Sequence, residues 1–280
     1  MQDRLVWLLE RFDLRAEVFH SGRIRQCVFH REDEGVGHMH VLRGGSVRLT
    51  APGSAARQVS EPSVIFYLNP TTHALDPGPD GADLVCANVD FGVGRGNPMR
   101  LALPEVAVLP LALAPDLDAT LTLLFREAAG DHCGRQAVLD RLSEVALIQL
   151  FRELMDRKLR EVGLLAGLAD ARLARAINAM HARPDQAWTL DALAGEAGMS
   201  RARFAVRFRD IVGMTPGSYL AEWRLGLAQS LLRRGRPVSV VASEVGYANA
   251  SALSRAFTAQ KGMSPRAWLK QIQGEVVGPP

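Results

Sequence analysis

The stretch EVGYANASALSRAF, residues 244–257, follows a near-copy of itself, EAGMSRARFAVRF at 196–208. Glu196, Gly198 and Met199 align with Glu244, Gly246 and Tyr247 at an offset of 48. After one inserted residue, Phe204, Phe208, Gly213, Met214, Thr215, Pro216 and Tyr219 align with Leu253, Phe257, Gly262, Met263, Ser264, Pro265 and Trp268 at 49. A repeat that keeps its glycine, aromatic and proline positions while the rest drifts duplicates a packing unit. The last third of the chain must therefore fold as two similar helical modules.

In the first copy TLDALAGEA reads as a helix with Thr189 as N-cap, Gly198 allows a tight turn, and Ser200 is placed to cap a second helix, RARFAVRFRDIV. Phe204 and Phe208, four residues apart, face the first helix, which leaves Arg201, Ala202, Ala205, Val206 and Arg209 outward. In the second copy Val240, Val241 and Val245 are expected beneath Leu253 and Phe257, leaving Asn249, Ala250, Ser251, Ser254 and Arg255 outward. Each copy predicts a helix-turn-helix, at 189–212 and at 239–261, whose second helix suits a major groove about 12 Å wide. Between them 217–235 reads as one helix with Leu220, Trp223, Leu227 and Leu231 on its buried stripe, ended by Gly235 and Pro237. A rod of some 16 residues spans roughly 24 Å, enough to hold two recognition helices in grooves about 34 Å apart.

Charge supports the same division. Residues 171–280 carry 15 Lys+Arg against 7 Asp+Glu, a net of +8, whereas residues 1–170 carry 18 against 23, a net of −5. A basic third on an acidic remainder predicts a polyanion-binding domain joined to something else. No apolar run approaches the roughly 18 to 20 uncharged residues of a membrane helix, and MQDRLVWLLERFD is not a signal peptide, so a cytoplasmic protein without membrane partners is expected. Cys27, Cys86 and Cys133 are too few and too scattered for a disulfide framework or a CxxC-type zinc site.

After a short N-terminal helix, residues 23–91 read as short strands: HMHVLR (38–43), SVRLTA (46–51), VIFYL (64–68) and DLVCANVDF (83–91). Gly44-Gly45, Pro52-Gly53, Asn69-Pro70 and DPGPDG at 76–81 are taken as the turns between them. This spacing predicts a small β-sandwich or barrel. From 116 the period becomes helical, with Leu139, Leu142, Ala146 and Leu150 on one stripe and Leu147, Phe151 and Leu154 beside it; Gly163–Gly167 reads as a linker. The fold class is α+β in two domains: sensing domain at 1–115, helical dimerisation segment at 116–165, and all-α DNA-binding domain at 172–274.

Residues 172–274, through LAGEAGMSRARFAVRFRDIVGMTPGSYLAEWRL and VASEVGYANASALSRAFTAQKGMSPRAW, resemble the DNA-binding domain of the AraC/XylS family of bacterial transcription regulators. Leu253 stands where that family usually has Phe. Ala202, Ala205 and Val206 stand where many relatives carry larger polar residues, while Ser251 and Arg255 match its contact positions. HVLRGGSVRL at 40–49 and the later strand at His73 resemble the family's cupin-type sensing domain. The resemblance implies a β-barrel whose pocket takes a small-molecule or oxidant signal, helices that pair the chain into a homodimer, and promoter DNA and RNA polymerase as partners, with activation as the favoured output.

His38 and His40 alternate on one strand, and His73 on a later strand can reach them, which makes three imidazoles a candidate metal site or a candidate ligand pocket. Metal-binding cupins place a Glu shortly after their HxH, and here 44 and 45 are Gly, so no metal and no cofactor are expected. His20, His30, His132 and His181 have no usable partner spacing. Cys86 lies on the strand face away from Val85, Ala87 and Val89, and Cys27 lies on the strand RQCVFH; the resemblance to the cupin-type sensing domain implies both as candidate oxidant sensors. The alternative from another class is a cupin-type metal-dependent enzyme fused to a DNA-binding domain, which would need an intact metal triad.

Overall fold

The computed structural model describes residues 3–12, 14–31, 36–90, 106–157 and 162–275. Two compact units divide the chain. One is β-rich and lies within residues 14–160; the other is helical and combines residues 161–280 with the first 13. No helix among the described residues is long and apolar enough to cross a membrane.

The β-rich unit is one antiparallel sheet of β1 (Arg15–Ile24), β2 (Val28–His30), β3 (Val36–Thr50), β4 (Arg57–Val59), β5 (Ser63–Tyr67), β6 (His73–Asp90) and β7 (Ala107–Pro110). Its order is β1-β6-β3-β5-β7, with β2 added on β6 and β4 on β3. The described pairings run from β1 to β7, and the two long strands, β3 and β6, carry shared register shifts. Gly44-Gly45 and DPGPDG do not end strands. Both lie inside them, as irregularities where β3 and β6 bend together: Gly45 pairs with Ala82, Val47 with Pro77, and residues 78–81 loop out of the ladder. Bulges use the same residues as turns, and Pro77 sits where the ladder is already broken.

Alternation across the bend builds two faces. Ile24, Leu42, Val47, Leu49, Ile65, Tyr67, Leu75, Leu84 and Cys86 meet in one buried cluster on the inner face. The opposite face is covered by α2 (Pro115–Ala129) and α3 (Arg135–Asp156), with Phe66 edge-on to Phe151 at 6.0 Å. The Asp140 carboxylate accepts from the Val18 amide at 3.0 Å, and Gln136 donates to the Val18 carbonyl at 2.9 Å. Both bonds satisfy backbone groups where β1 shifts register between Val18 and His20. Leu139, Ala146, Leu147, Leu150, Phe151 and Leu154 are buried as expected, whereas Leu142 is only half-buried.

The helical unit begins with α1 (Val6–Arg11), which sequence assigned to the sensing domain. Arg4 donates to the Leu168 and Ala169 carbonyls, Arg11 to that of Ala182, and the Phe12 ring meets Trp223 edge-on at 5.1 Å. The expected linker at 163–167 is also part of this core. It forms α4 (Leu164–Ala169), whose Gly167 lies so close to its neighbours that a Cβ there would be 2.7 Å from Ile177 and 2.9 Å from Val212. Small size, not flexibility, is what Gly167 supplies.

There follow α5 (Ala171–Ala182), α6 (Leu190–Ala197), α7 (Arg201–Val212), α8 (Pro216–Arg233), α9 (Val238–Glu244), α10 (Ala250–Lys261) and α11 (Pro265–Glu275). The repeat is kept at backbone level. Gly198 and Gly246 turn with φ of 61° and 82°, and Gly213 and Gly262 end α7 and α10 with φ of 86° and 74°. Thr215 and Ser264 accept from Ser218 and Ala267 amides, each before a first-turn proline. Alpha-8 is buried more widely than the predicted stripe: Leu225, Gln229, Ser230 and Leu232 are covered too, partly because the chain around α1 lies on it, with the Ser230 hydroxyl donating to the Arg11 carbonyl at 3.1 Å.

Candidate functional sites

The first site is the outward surface of α7 and α10. Phe204 and Phe208 are fully buried, as are Leu253 and Phe257, and this fixes the rotation of both helices. Arg201, Ala202 and Arg209 are exposed, Ala205 is half-buried, and Val206 is 62% exposed. Arg201 lies 3.7 Å from Asp191 in a solvent-exposed pair, worth little and easily exchanged. On α10, Ser251 and Arg255 are exposed while Ala250 and Ser254 are half-buried.

Two local assignments differ from expectation. Ser200 occupies the N-cap of α7 but makes no side-chain cap bond, whereas the Asn249 side chain accepts from the Ala252 amide at 2.9 Å and caps α10. Asn249 thus has a structural task beside any role at the surface. Val240 is exposed, and Ala242 joins Val241 and Val245 under Leu253 and Phe257 in its place.

The second site lies on the inner face of the β-rich unit. His38, His40 and His73 come together as expected, and His30 joins them. In the ladder His30 pairs with His73, and His40 with Cys86, which pairs in turn with His20. The His30 ring lies 4.8 Å from both the His40 and His73 rings and 5.1 Å from that of His38. Tyr67 stacks on His73 at 3.8 Å. Only the pairing of a three-residue strand with β6 delivers His30, and sequence spacing carries no trace of that pairing.

Hydrogen bonds order the protons. His73 Nδ1 is 2.7 Å from the Thr71 carbonyl, which can only accept, so that nitrogen holds the proton. Burial lowers the His73 pKa to about 4, so the ring is neutral and its Nε2 lone pair points at His40 Nε2, 2.8 Å away. His40 is pushed well below the ordinary range, first by burial and then by its histidine neighbours; His38 is lowered to about 4 and His30 is lowered, each chiefly by burial. The cluster is a set of neutral imidazoles.

The two sensor cysteines separate. Cys86 is buried on the inner face, and burial pushes its thiol up to about 12, the opposite of a reactive thiolate. Cys86, one of the two expected oxidant sensors, lies in the buried cluster of this face. Cys27 is exposed and precedes β2, not within it. A cavity of about 220 Å³ lined by Phe19, His20, Val28, His30, Leu75 and Cys86 adjoins the cluster.

Known proteins match both halves. Residues 3–156 match the Cupin family and residues 193–271 a helix-turn-helix domain. The chain is 38% identical over 173 residues to an AraC-like transcription regulator of Streptomyces antibioticus, covering 60% of this chain and 57% of that one. It is 32% identical over 216 residues to the HTH-type transcriptional regulator AlkR of Acinetobacter baylyi, covering 74% and 70%. With the RCS-specific HTH-type transcriptional activator RclR of Escherichia coli it shares 33% identity over 240 residues, 84% of each chain. These relatives are transcription regulators, which removes the fused-enzyme alternative. By both halves, the chain belongs to the AraC/XylS family of transcription regulators that carry an N-terminal cupin domain.

Proposed function

We propose that the chain binds promoter DNA through two helix-turn-helix units, α6–α7 and α9–α10, held apart by α8 as a rigid spacer. The observation that carries this reading is the paired outward surface: both recognition helices bury their aromatic or leucine face and turn small and basic side chains to solvent. The 18 residues of α8 span about 27 Å, compatible with grooves about 34 Å apart. Ala202, Ala205 and Val206 suit thymine methyls and groove shape, Arg201 and Arg209 suit phosphates, and Ser251, Ser254 and Arg255 suit base edges, with Ala250 and Asn249 at the mouth of the second helix.

Arg255→Ala is expected to weaken binding to the DNA upstream of the protein's own gene by about 1 to 3 kcal/mol while leaving random DNA nearly unaffected. Fluorescence anisotropy on both duplexes measures this. Equal losses on the two would make Arg255 a phosphate contact and remove it from sequence reading.

In the same reading the β-rich unit takes the signal, the regulator recruits RNA polymerase, and α3 supplies the homodimer seam. Val138 and Val145 are 42% and 45% exposed, seven residues apart, with half-buried Leu142 between them. That is the spacing of a helix-pairing stripe. Deleting 116–162 would also uncover Phe66, so point changes are cleaner. Val138→Glu with Val145→Glu should convert the dimer to a monomer in sedimentation velocity; a dimer that persists moves the interface off α3. An oxidant signal would act on exposed Cys27 before buried Cys86.

A further inference from the structure

One nitrogen from each of His30, His40 and His73 lies within 4.8 Å of the others, and all three side chains are buried. Tetrahedral coordination with metal–nitrogen bonds of about 2.0–2.1 Å requires nitrogens roughly 3.3 Å apart, a spacing reached from here by small ring rotations. We propose that His30, His40 and His73 form a three-imidazole site for a borderline first-row transition-metal ion of the zinc and cobalt class, and that this site is the signal input of the β-rich unit. The input role rests on the reading of the chain as a regulator; the site itself does not.

Four observations carry the site. His73 is already arranged as a ligand: its Nδ1 proton is held by the Thr71 carbonyl, the outer contact that orients metal-bound histidines, and its Nε2 lone pair points at His40 Nε2, 2.8 Å away. His30 Nε2, His38 Nδ1 and His40 Nδ1 are buried without a hydrogen-bond partner, an arrangement that costs about 1–3 kcal/mol per atom unless something binds there. Among the described residues, the rings around His40 are those of His30, His38, His73 and Tyr67. A neutral all-nitrogen set selects zinc, cobalt, nickel or copper over magnesium and calcium, which need oxygen. The set is also specific. His38 shares the strand and the face with His40, yet it is His30 from β2 that completes the trio.

The test uses the full chain stripped with a chelator. Co²⁺ titration should develop visible d–d absorption that saturates at one equivalent and is displaced by Zn²⁺. His30→Gln and His73→Gln should abolish it, and His38→Gln should leave it unchanged, with circular dichroism confirming the fold of each variant. X-ray absorption of the unsubstituted zinc-loaded chain should show nitrogen neighbours at about 2.0–2.1 Å and no sulfur at about 2.3 Å, so the answer does not depend on the variants folding. In parallel, Zn²⁺ should change the affinity for the upstream DNA, and should not in His30→Gln. Absence of binding, a sulfur neighbour, or loss in His38→Gln with retention in His30→Gln overturns the site. Binding with unchanged DNA affinity overturns the input role. DNA binding by the metal-free chain reads out the regulator function separately.

Discussion

Phe12→Ala should destabilise the helical unit by about 3–5 kcal/mol, the range for removing a fully enclosed aromatic ring. Phe12 is buried and closes against Trp223, itself wholly buried in the middle of α8, while the neighbouring carbonyl of Arg11 receives the Ser230 hydroxyl. The measurement is favoured by composition. Trp7, Trp188, Trp223 and Trp268 are the four tryptophans, and all fall in the helical unit, so fluorescence-detected urea unfolding follows that unit alone. Phe19→Ala, at a half-exposed ring on β1, is the control and should leave this transition where it was. A Phe12→Ala midpoint equal to that of the parent would mean that α1 leaves the helical unit in solution. DNA affinity should fall in the variant only as far as the folded fraction does, because Phe12 is buried against Trp223 and is not part of the outward surface.

The second large effect is expected at Gly45, where Ala should destabilise the β-rich unit and reduce occupancy of the histidine cluster together. Gly45 has φ of +79°, and a Cβ there would be 2.1 Å from the carbonyl oxygen of Gly81, itself at φ +79° on the facing strand. Left-handed strain for a non-glycine residue contributes about 1–3 kcal/mol, and the backbone collision adds to it, because neither strand can retreat without opening the ladder. Gly53, at φ +78° but with open space around it, isolates the first contribution. Gly53→Ala should therefore cost clearly less than Gly45→Ala by far-ultraviolet circular dichroism melting. Equal costs would show that the close approach of β3 to β6 relaxes freely. The cluster is sensitive because the bend separates His38 and His40 from the lower arm of β6, where His73 sits, and the angle between the arms sets their distance.

Much of the helical unit was legible before any coordinates, for a physical reason. A duplicated module repeats its own constraints, so Gly198 and Gly246, or Phe208 and Phe257, check one another, and burying one face of a helix fixes the other. The faces of β6 were legible too: strict alternation put Cys86 opposite Val85 and Ala87. What alternation cannot report is depth. Both faces of the central strands are covered, one by the inner cluster and one by α2 and α3, so the Cys86 thiol is buried. Glycine and proline misled in the strands, because Gly44-Gly45 and DPGPDG use positive φ and broken pairing to bend a ribbon, and the same residues would end one. His30 and α1 were illegible for a shared reason: each finds its partners across long stretches of chain, His73 for one, Trp223 and Ala182 for the other, and local pattern is silent about such pairings.

Alpha-8 packs against α9 as α5 packs against α6, so it is both the spacer between the modules and the first helix of the second one. Its length therefore has a rotational meaning as well as a linear one. Each residue added to or removed from an α-helix turns everything beyond it by about 100° while advancing it only 1.5 Å. A single insertion in 217–232 would swing α10 round the axis, away from the side on which α7 presents Val206 and Arg209, and it would also drag the covered flank of α8 out from under Phe12. The spacing of the two modules is thus held in phase by the same helix whose burial forbids adjustment, and two DNA segments read by such a pair would have to keep a fixed helical phase along the duplex.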